Sequence, residues 1–121
     1  MKKQNFYAVI CLLILFLCLP VLAEEYGAIA YSPSEVKYGY SHGFDSKTGA
    51  EVEAMARCPY EDARIIVWVK DGWAALARNP QTGKWSSGWS KNSQAEAEGI
   101  AQSGVEGPSE VLCWIKSFGE P

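Results

Sequence analysis

The chain has 121 residues, 48% of them hydrophobic and 12% aromatic, with eleven Lys and Arg against fourteen Asp and Glu, a formal charge of −3. That length holds one domain. Ordinary apolar content and an acidic balance exclude a disordered chain, a collagen-like repeat and a basic nucleic-acid binder.

Lys2 and Lys3 precede an uncharged run from Gln4 to Ala23, and every acid lies at or beyond Glu24. Phe6 to Ala23 is an apolar stretch interrupted by Pro20 and ending in Val21-Leu22-Ala23, the pattern of a secretory signal peptide over residues 1–23. Eighteen apolar residues with a proline are short for a membrane anchor, which needs about 20. Leu17 before Cys18 is bulkier than the small residue usual at a lipid-attachment site, and a lipoprotein is the lesser alternative. Cleavage after Ala23 removes two lysines and no acid, so the mature chain, residues 24–121, is more acidic than the whole, with a periplasmic or secreted location expected. Cys11 and Cys18 leave with the leader. Cys58 and Cys113 remain, an even pair that in an oxidising compartment suggests one disulfide. A loop that long would add about 4 kcal/mol on chain-entropy grounds; two separately buried thiols are the alternative.

Tyr26 to Tyr31 reads as a strand, a Pro33-containing turn follows, and Val36 to Ser41, with Tyr38 and Tyr40 at alternate positions, reads as a second. Thr48 and Glu51 have capping-box spacing, which starts a helix running to about Cys58 and stopped by Pro59, with Ala50, Ala54, Met55 and Cys58 on one face. Ile65 to Val69 is apolar on both faces, as in a central strand covered on both sides. Asp71-Gly72 predicts a two-residue hairpin turn, because both residues tolerate positive φ.

The same series then repeats. Ala28-Ile29-Ala30 and Pro33 return as Ala75-Leu76-Ala77 and Pro80, and Lys37-Tyr38 as Lys84-Trp85, at an offset of 47. Ala50 to Ala56 matches Ala95 to Ala101 at 45, and Ile66 to Lys70 matches Leu112 to Lys116 at 46. Four blocks in one order mark an internal duplication, with repeats at about 26–72 and 73–117. The second helix begins with the Ser93–Glu96 capping box, presents Ala95, Gly99 and Ile100, and stops at Gly104. Val111 to Ile115 is its last strand. The expected fold is α+β: a strand-strand-helix-strand unit used twice, pseudo-twofold, with two helices packed on antiparallel sheet.

His42 is the only histidine. With Cys58 it offers a thiolate–base pair, against the plainer reading of a loop imidazole and a buried or bridged thiol. No Cys-x-x-Cys or His-x-x-x-His spacing occurs, so no metal is expected. Glu51 and Glu53, like Glu96 and Glu98, diverge by about 200° on a helix and do not converge on one atom; Glu61-Asp62, in a loop, is the better acid–base candidate. No nucleophile elbow or phosphate loop occurs, and no cofactor is expected. Tyr38, Tyr40, Phe44, Trp85 and Trp89 fall in the equivalent second strands and following loops. Alternate positions share a face, so these aromatics form either a binding face or core filling.

Tyr26-Gly27-Ala28-Ile29-Ala30-Tyr31-Ser32, Tyr38-Gly39-Tyr40, the helix ending Ala56-Arg57-Cys58, Ile65-Ile66-Val67-Trp68 and Ala74-Ala75-Leu76-Ala77 stand in an order and spacing that resembles the small secreted bacterial domains of unknown function DUF4189, over nearly the whole mature chain. The resemblance implies export, a doubled compact fold and often several cysteines, and brings no established catalytic residues. Family members often carry a cysteine where this chain has Ala63 and another where it has Trp73, so their local disulfides are not open to it. The function expected is a noncatalytic binding or interaction module of the cell envelope or extracellular space, taking an envelope protein or cell-wall glycan. It involves no nucleic acid, and no membrane after cleavage. The alternative is a small envelope hydrolase using His42 with Cys58 or Glu61 and Asp62.

Overall fold

A computed structural model describes residues 24–119; the signal-peptide reading of residues 1–23, with Cys11 and Cys18, lies outside them. The order is β1 (Tyr26–Ser32), β2 (Lys37–Phe44), α1 (Lys47–Ala56), β3 (Arg64–Lys70), β4 (Trp73–Arg78), β5 (Trp85–Ser90), α2 (Gln94–Ser103) and β6 (Glu110–Lys116). The protein is α+β, with two helices and two antiparallel three-stranded sheets ordered β2-β1-β3 and β5-β4-β6.

The centre of each sheet is its first strand. Ala28, Ile29, Ala30 and Tyr31 are wholly buried, as are Ala74 through Ala77, whereas β3 and β6, expected as central, lie at edges with Trp68 41% and Trp114 46% exposed. The reason is volume. Ala28 and Ala30 turn to a cluster with Ala50, Ala54 and Cys58 of α1 and its end, while Ile29 joins Val67, Val69, Ala74 and Ile115 between the sheets. A strand of small residues lets backbone layers approach closely on both sides, which bulky β3 does not permit. In the second half Ala75 and Ala77 share a cluster with Ala97 and Ala101 of α2.

Asp71 takes the positive φ expected of it, 51°. The Asp71-Gly72 turn is nonetheless no hairpin, because it carries the chain from β3 in one sheet to β4 in the other. Buried Ser117 anchors this corner: its hydroxyl accepts from the Gly72 amide at 2.9 Å, and its own amide donates to the Gly72 carbonyl at 2.9 Å. Strand β2 begins at Lys37 rather than Val36, whose φ of 53° takes it out of the ladder.

The first helix also starts earlier than expected. Ser46, not Thr48, is the N-cap and accepts from the Gly49 amide at 3.0 Å. Ser93 caps α2 as expected, accepting from Glu96 N at 3.1 Å; the Glu96 carboxylate takes Asn92 instead of closing the box. The caps Ser46 and Ser93, and the buried pairs Ala50/Ala97 and Ala54/Ala101, all stand 47 positions apart. The helix match at 45 is therefore two residues out of register. Ala95, Gly99 and Ile100 accordingly lie on the exposed side of α2, and Met55 is exposed on α1.

The post-helix loops tie back to the sheet turns. Asp62 accepts from the Ser32 hydroxyl and, at 2.8 Å, from the Ser34 amide; in the other half Asn79 Nδ2 donates to the Glu106 carbonyl at 2.9 Å. The Ser32 hydrogen bond, then that of Ser34, holds the Asp62 carboxyl below its ordinary 3.8. Its stabilising contribution is therefore complete above the unfolded value and is lost as pH falls through the lower folded value. We expect Asp62→Asn to lower the urea midpoint at pH 7 and to converge with the wild type towards pH 2; an unchanged gap between them would contradict this role.

Candidate functional site

Strand alternation decides where the aromatics stand. Tyr38 and Tyr40 lie opposite Tyr31 and Ile29, and Trp85 and Trp89 opposite Arg78 and Ala74, so each pair is on the strand face turned towards the other sheet. Strand β2, however, lies against β6, and β5 against β3. The five expected residues do not form one face: Tyr38 and Tyr40 pair with each other at 6.4 Å between ring centroids on one edge, while Trp85 and Trp89 belong to the other. Trp85 meets buried Tyr31 edge-on at 5.4 Å. Phe44 is half-buried against the α1 cluster. Register also changes the equivalences: Tyr40 corresponds to Ser87, and Trp89, opposite Ala74, to His42.

On the β3–β5 side that change opens a groove of about 660 Å³, lined by Ile66–Lys70 of β3 with Ser87, Trp89 and Lys91. The small Ser87 stands where the first half has Tyr40, and its hydroxyl donates to the Ile66 carbonyl at 3.2 Å. Trp89, 54% exposed, also borders a second depression of about 580 Å³ reaching Asn92, Glu96 and Ile100 on α2. Lys47 Nζ lies 4.4 Å from the Trp68 ring centroid, and Lys70 pairs with Glu24 at 2.7 Å. The groove sets the Trp89 indole beside Val67 and Val69 of the inter-sheet face, whereas the Trp68 indole, opposite Ala28, stands with Lys47 and Tyr26 on the α1 face of the same strand. Sequence reasoning found Trp89; its place beside β3 depends on which strands of the two sheets face each other.

The hydrolase constellation is not assembled. Ser41, beside His42, donates its hydroxyl to the Ala50 carbonyl of α1 at 2.6 Å, so His42 occupies the opposite face of β2. Cys58 lies on the α1 side, its thiol 3.5 Å from the Lys37 carbonyl oxygen. A thiolate and a base on opposite faces of a sheet cannot exchange a proton directly. Asp62 is spent on the Ser32–Ser34 turn, and Glu61 lies exposed beside it. Among the described residues no group of three His, Cys, Asp or Glu is placed to hold a metal, and no helix is long and apolar enough to cross a membrane.

The expected disulfide is corrected too: Cys58 and Cys113 are both free. Cys58 belongs to the α1 cluster and Cys113 packs on the cluster between the sheets, so a layer of sheet separates them. Burial pushes the Cys113 thiol up to about 12 and raises that of Cys58, with the Asp62 charge adding to the latter. Neither thiol is primed for reaction. Iodoacetamide at pH 8 is expected to leave the native protein unmodified and to add two adducts to residues 24–121 after denaturation. No adducts after denaturation, with a mass lower by two hydrogens, would restore the bridge.

The order β-β-α-β occurs twice in this α+β domain, which holds two three-stranded sheets and a groove between β3 and β5. The chain belongs to the family described as Domain of unknown function (DUF4189), which it matches over residues 26–115. No curated protein and no solved structure matches it.

Proposed function

We propose that this chain is an exported, noncatalytic binding module of the cell envelope or extracellular space, formed by duplication of one unit about an approximate twofold, with the helices on the outer sheet faces. Its ligand, a wall glycan or an envelope protein, lies in the groove between β3 and β5. The 47-position equivalence of caps, buried alanines and strand pairs supports the duplication, and the apolar stretch behind Lys2 and Lys3 supports export. The observation that carries the binding role is Trp89, more than half exposed between two depressions. A large indole left in water at the mouth of an apolar groove is the kind of side chain that dominates recognition energy.

The test is co-sedimentation with purified wall material, alongside capture of envelope proteins on immobilised domain. Trp89→Ala is expected to weaken retention by about 2 kcal/mol, while Tyr40→Ala, on the opposite edge, leaves it unchanged. Equal retention by wild type and Trp89→Ala would reject the groove.

A further inference from the structure

We propose that Asp71-Gly72 is a latent site of spontaneous isoaspartate formation, and that buried Ser117 holds it closed. Asp71 is the one aspartate of the sequence followed by glycine. In that pair the glycine amide nitrogen can attack the aspartate Cγ; the N–H proton and the carboxyl hydroxyl leave as water, and a five-membered succinimide forms. Water then opens either carbonyl of the ring. One opening returns aspartate, and the other gives isoaspartate, in which the main chain runs through the former side chain and is longer by a methylene. Glycine favours the attack because no Cβ obstructs its nitrogen, and water is the only co-reactant.

The fold requires this labile pair. Asp71 stands at φ 51°, a region that glycine, asparagine and aspartate enter most readily. Its Oδ1 accepts from the Glu25 amide at 3.1 Å, and its own amide donates to the Glu25 carbonyl at 2.9 Å. A Cβ at position 72 would lie 2.6 Å from the Ser90 carbonyl oxygen and 2.9 Å from Val69 Cγ2, so glycine is needed there. Gly72 is also where the reaction is restrained. Its buried amide donates to Ser117 Oγ at 2.9 Å, and its carbonyl accepts from the Ser117 amide at 2.9 Å. The N–H is thus directed at Ser117 while the carboxylate is held at Glu25, and bringing nitrogen and Cγ together breaks the Ser117 contacts. Burial adds to the restraint, because the attacking amide has to give up its proton and a charge shielded from water is costly. An added methylene here would lengthen the corner that joins β3 to β4 and undo its hydrogen bonds to Glu25 and Ser117.

The experiment is prolonged warm incubation at pH 7 in water enriched in heavy oxygen, followed by peptide mapping; each ring opening at position 71 leaves a heavy oxygen atom, and isoaspartate shifts the retention of the peptide. Native wild type is expected to exchange slowly and the same chain in urea much faster. Ser117→Ala, folded by circular dichroism, should exchange about fivefold faster than wild type, the worth of one buried hydrogen bond. Asp71→Asn keeps an Oδ1 acceptor and undergoes the same attack with loss of ammonia, so its deamidation should likewise be slow when native and fast in urea. A folded Ser117→Ala that exchanges no faster than wild type would overturn the role of Ser117. If that variant does not fold, Asp71→Asn decides: equal deamidation rates in the native state and in urea would overturn the proposal. So would a wild-type chain that forms no isoaspartate at position 71 in urea, since the site would then not be labile.

Discussion

Gly39→Ala is expected to destabilise the domain by about 3 kcal/mol. Gly39 lies in β2 directly beneath α1, where a Cβ would come within 2.5 Å of the Ala54 carbonyl oxygen, 2.6 Å of Arg57 C and 2.8 Å of Cys58 N. All three are backbone atoms, so no rotamer change relieves the clash; the helix end has to lift from the sheet, which opens the Ala28–Ala54 cluster. Domains of this size hold about 5–15 kcal/mol in total, so a loss of that order lowers Tm by about 15 °C. Gly99→Ala is the matched control. Gly99 is exposed in the middle of α2 with nothing within 4 Å of the added methyl, and alanine's better helix propensity should stabilise by about 0.5–1 kcal/mol. A melting temperature of Gly39→Ala unchanged from or above the wild type would show that the close approach of β2 to α1 is wrong.

Leu76→Ala is expected to cost about 3–4 kcal/mol. Leu76 is wholly buried at the middle of β4, with Ser87 and Cys113 as its strand partners. The interior is built largely of alanine and serine, and Tyr31, Ile29 and Leu76 are its largest fully buried side chains. Small neighbours cannot swing in to fill the space, so the cavity term adds to the lost transfer free energy. Urea unfolding should show a lower midpoint with an unchanged slope. A cost below about 1 kcal/mol, the range of surface changes, would mean that Leu76 is not part of the core.

Local chemistry was legible where a short-range rule is decisive. The Ser93 cap, the Pro33 and Pro80 turns, the positive φ of Asp71 and the existence of all the strands follow from residue types acting on their immediate neighbours. The Ser46 cap was missed because Thr48 and Glu51 satisfy the same spacing rule two residues later, and only the backbone path out of Gly43, with φ 75°, decides between them. Strand rank was misread because hydropathy favours Ile65–Val69, whereas centrality went to the alanine strands that fit between helix and sheet.

The candidate site was half legible. Trp89 was singled out from residue type and alternation, yet the surface beside that indole is supplied by Ile66, Val67 and Val69 of β3, not by Tyr38 or Tyr40. A repeat comparison pairs residues that are equivalent; a groove is lined by residues that are adjacent.

By itself the sequence determined the α+β class, the doubled element order and the membership of the DUF4189 family, because these depend on periodicity, caps and turns within reach of a few bonds. Tertiary structure alone decided that Asp71-Gly72 crosses between sheets, that Cys58 and Cys113 are kept apart by a sheet, and that β3 meets β5 to open the groove. Those outcomes depend on how layers of small side chains stack, and stacking is set by volumes on strands far apart in the chain.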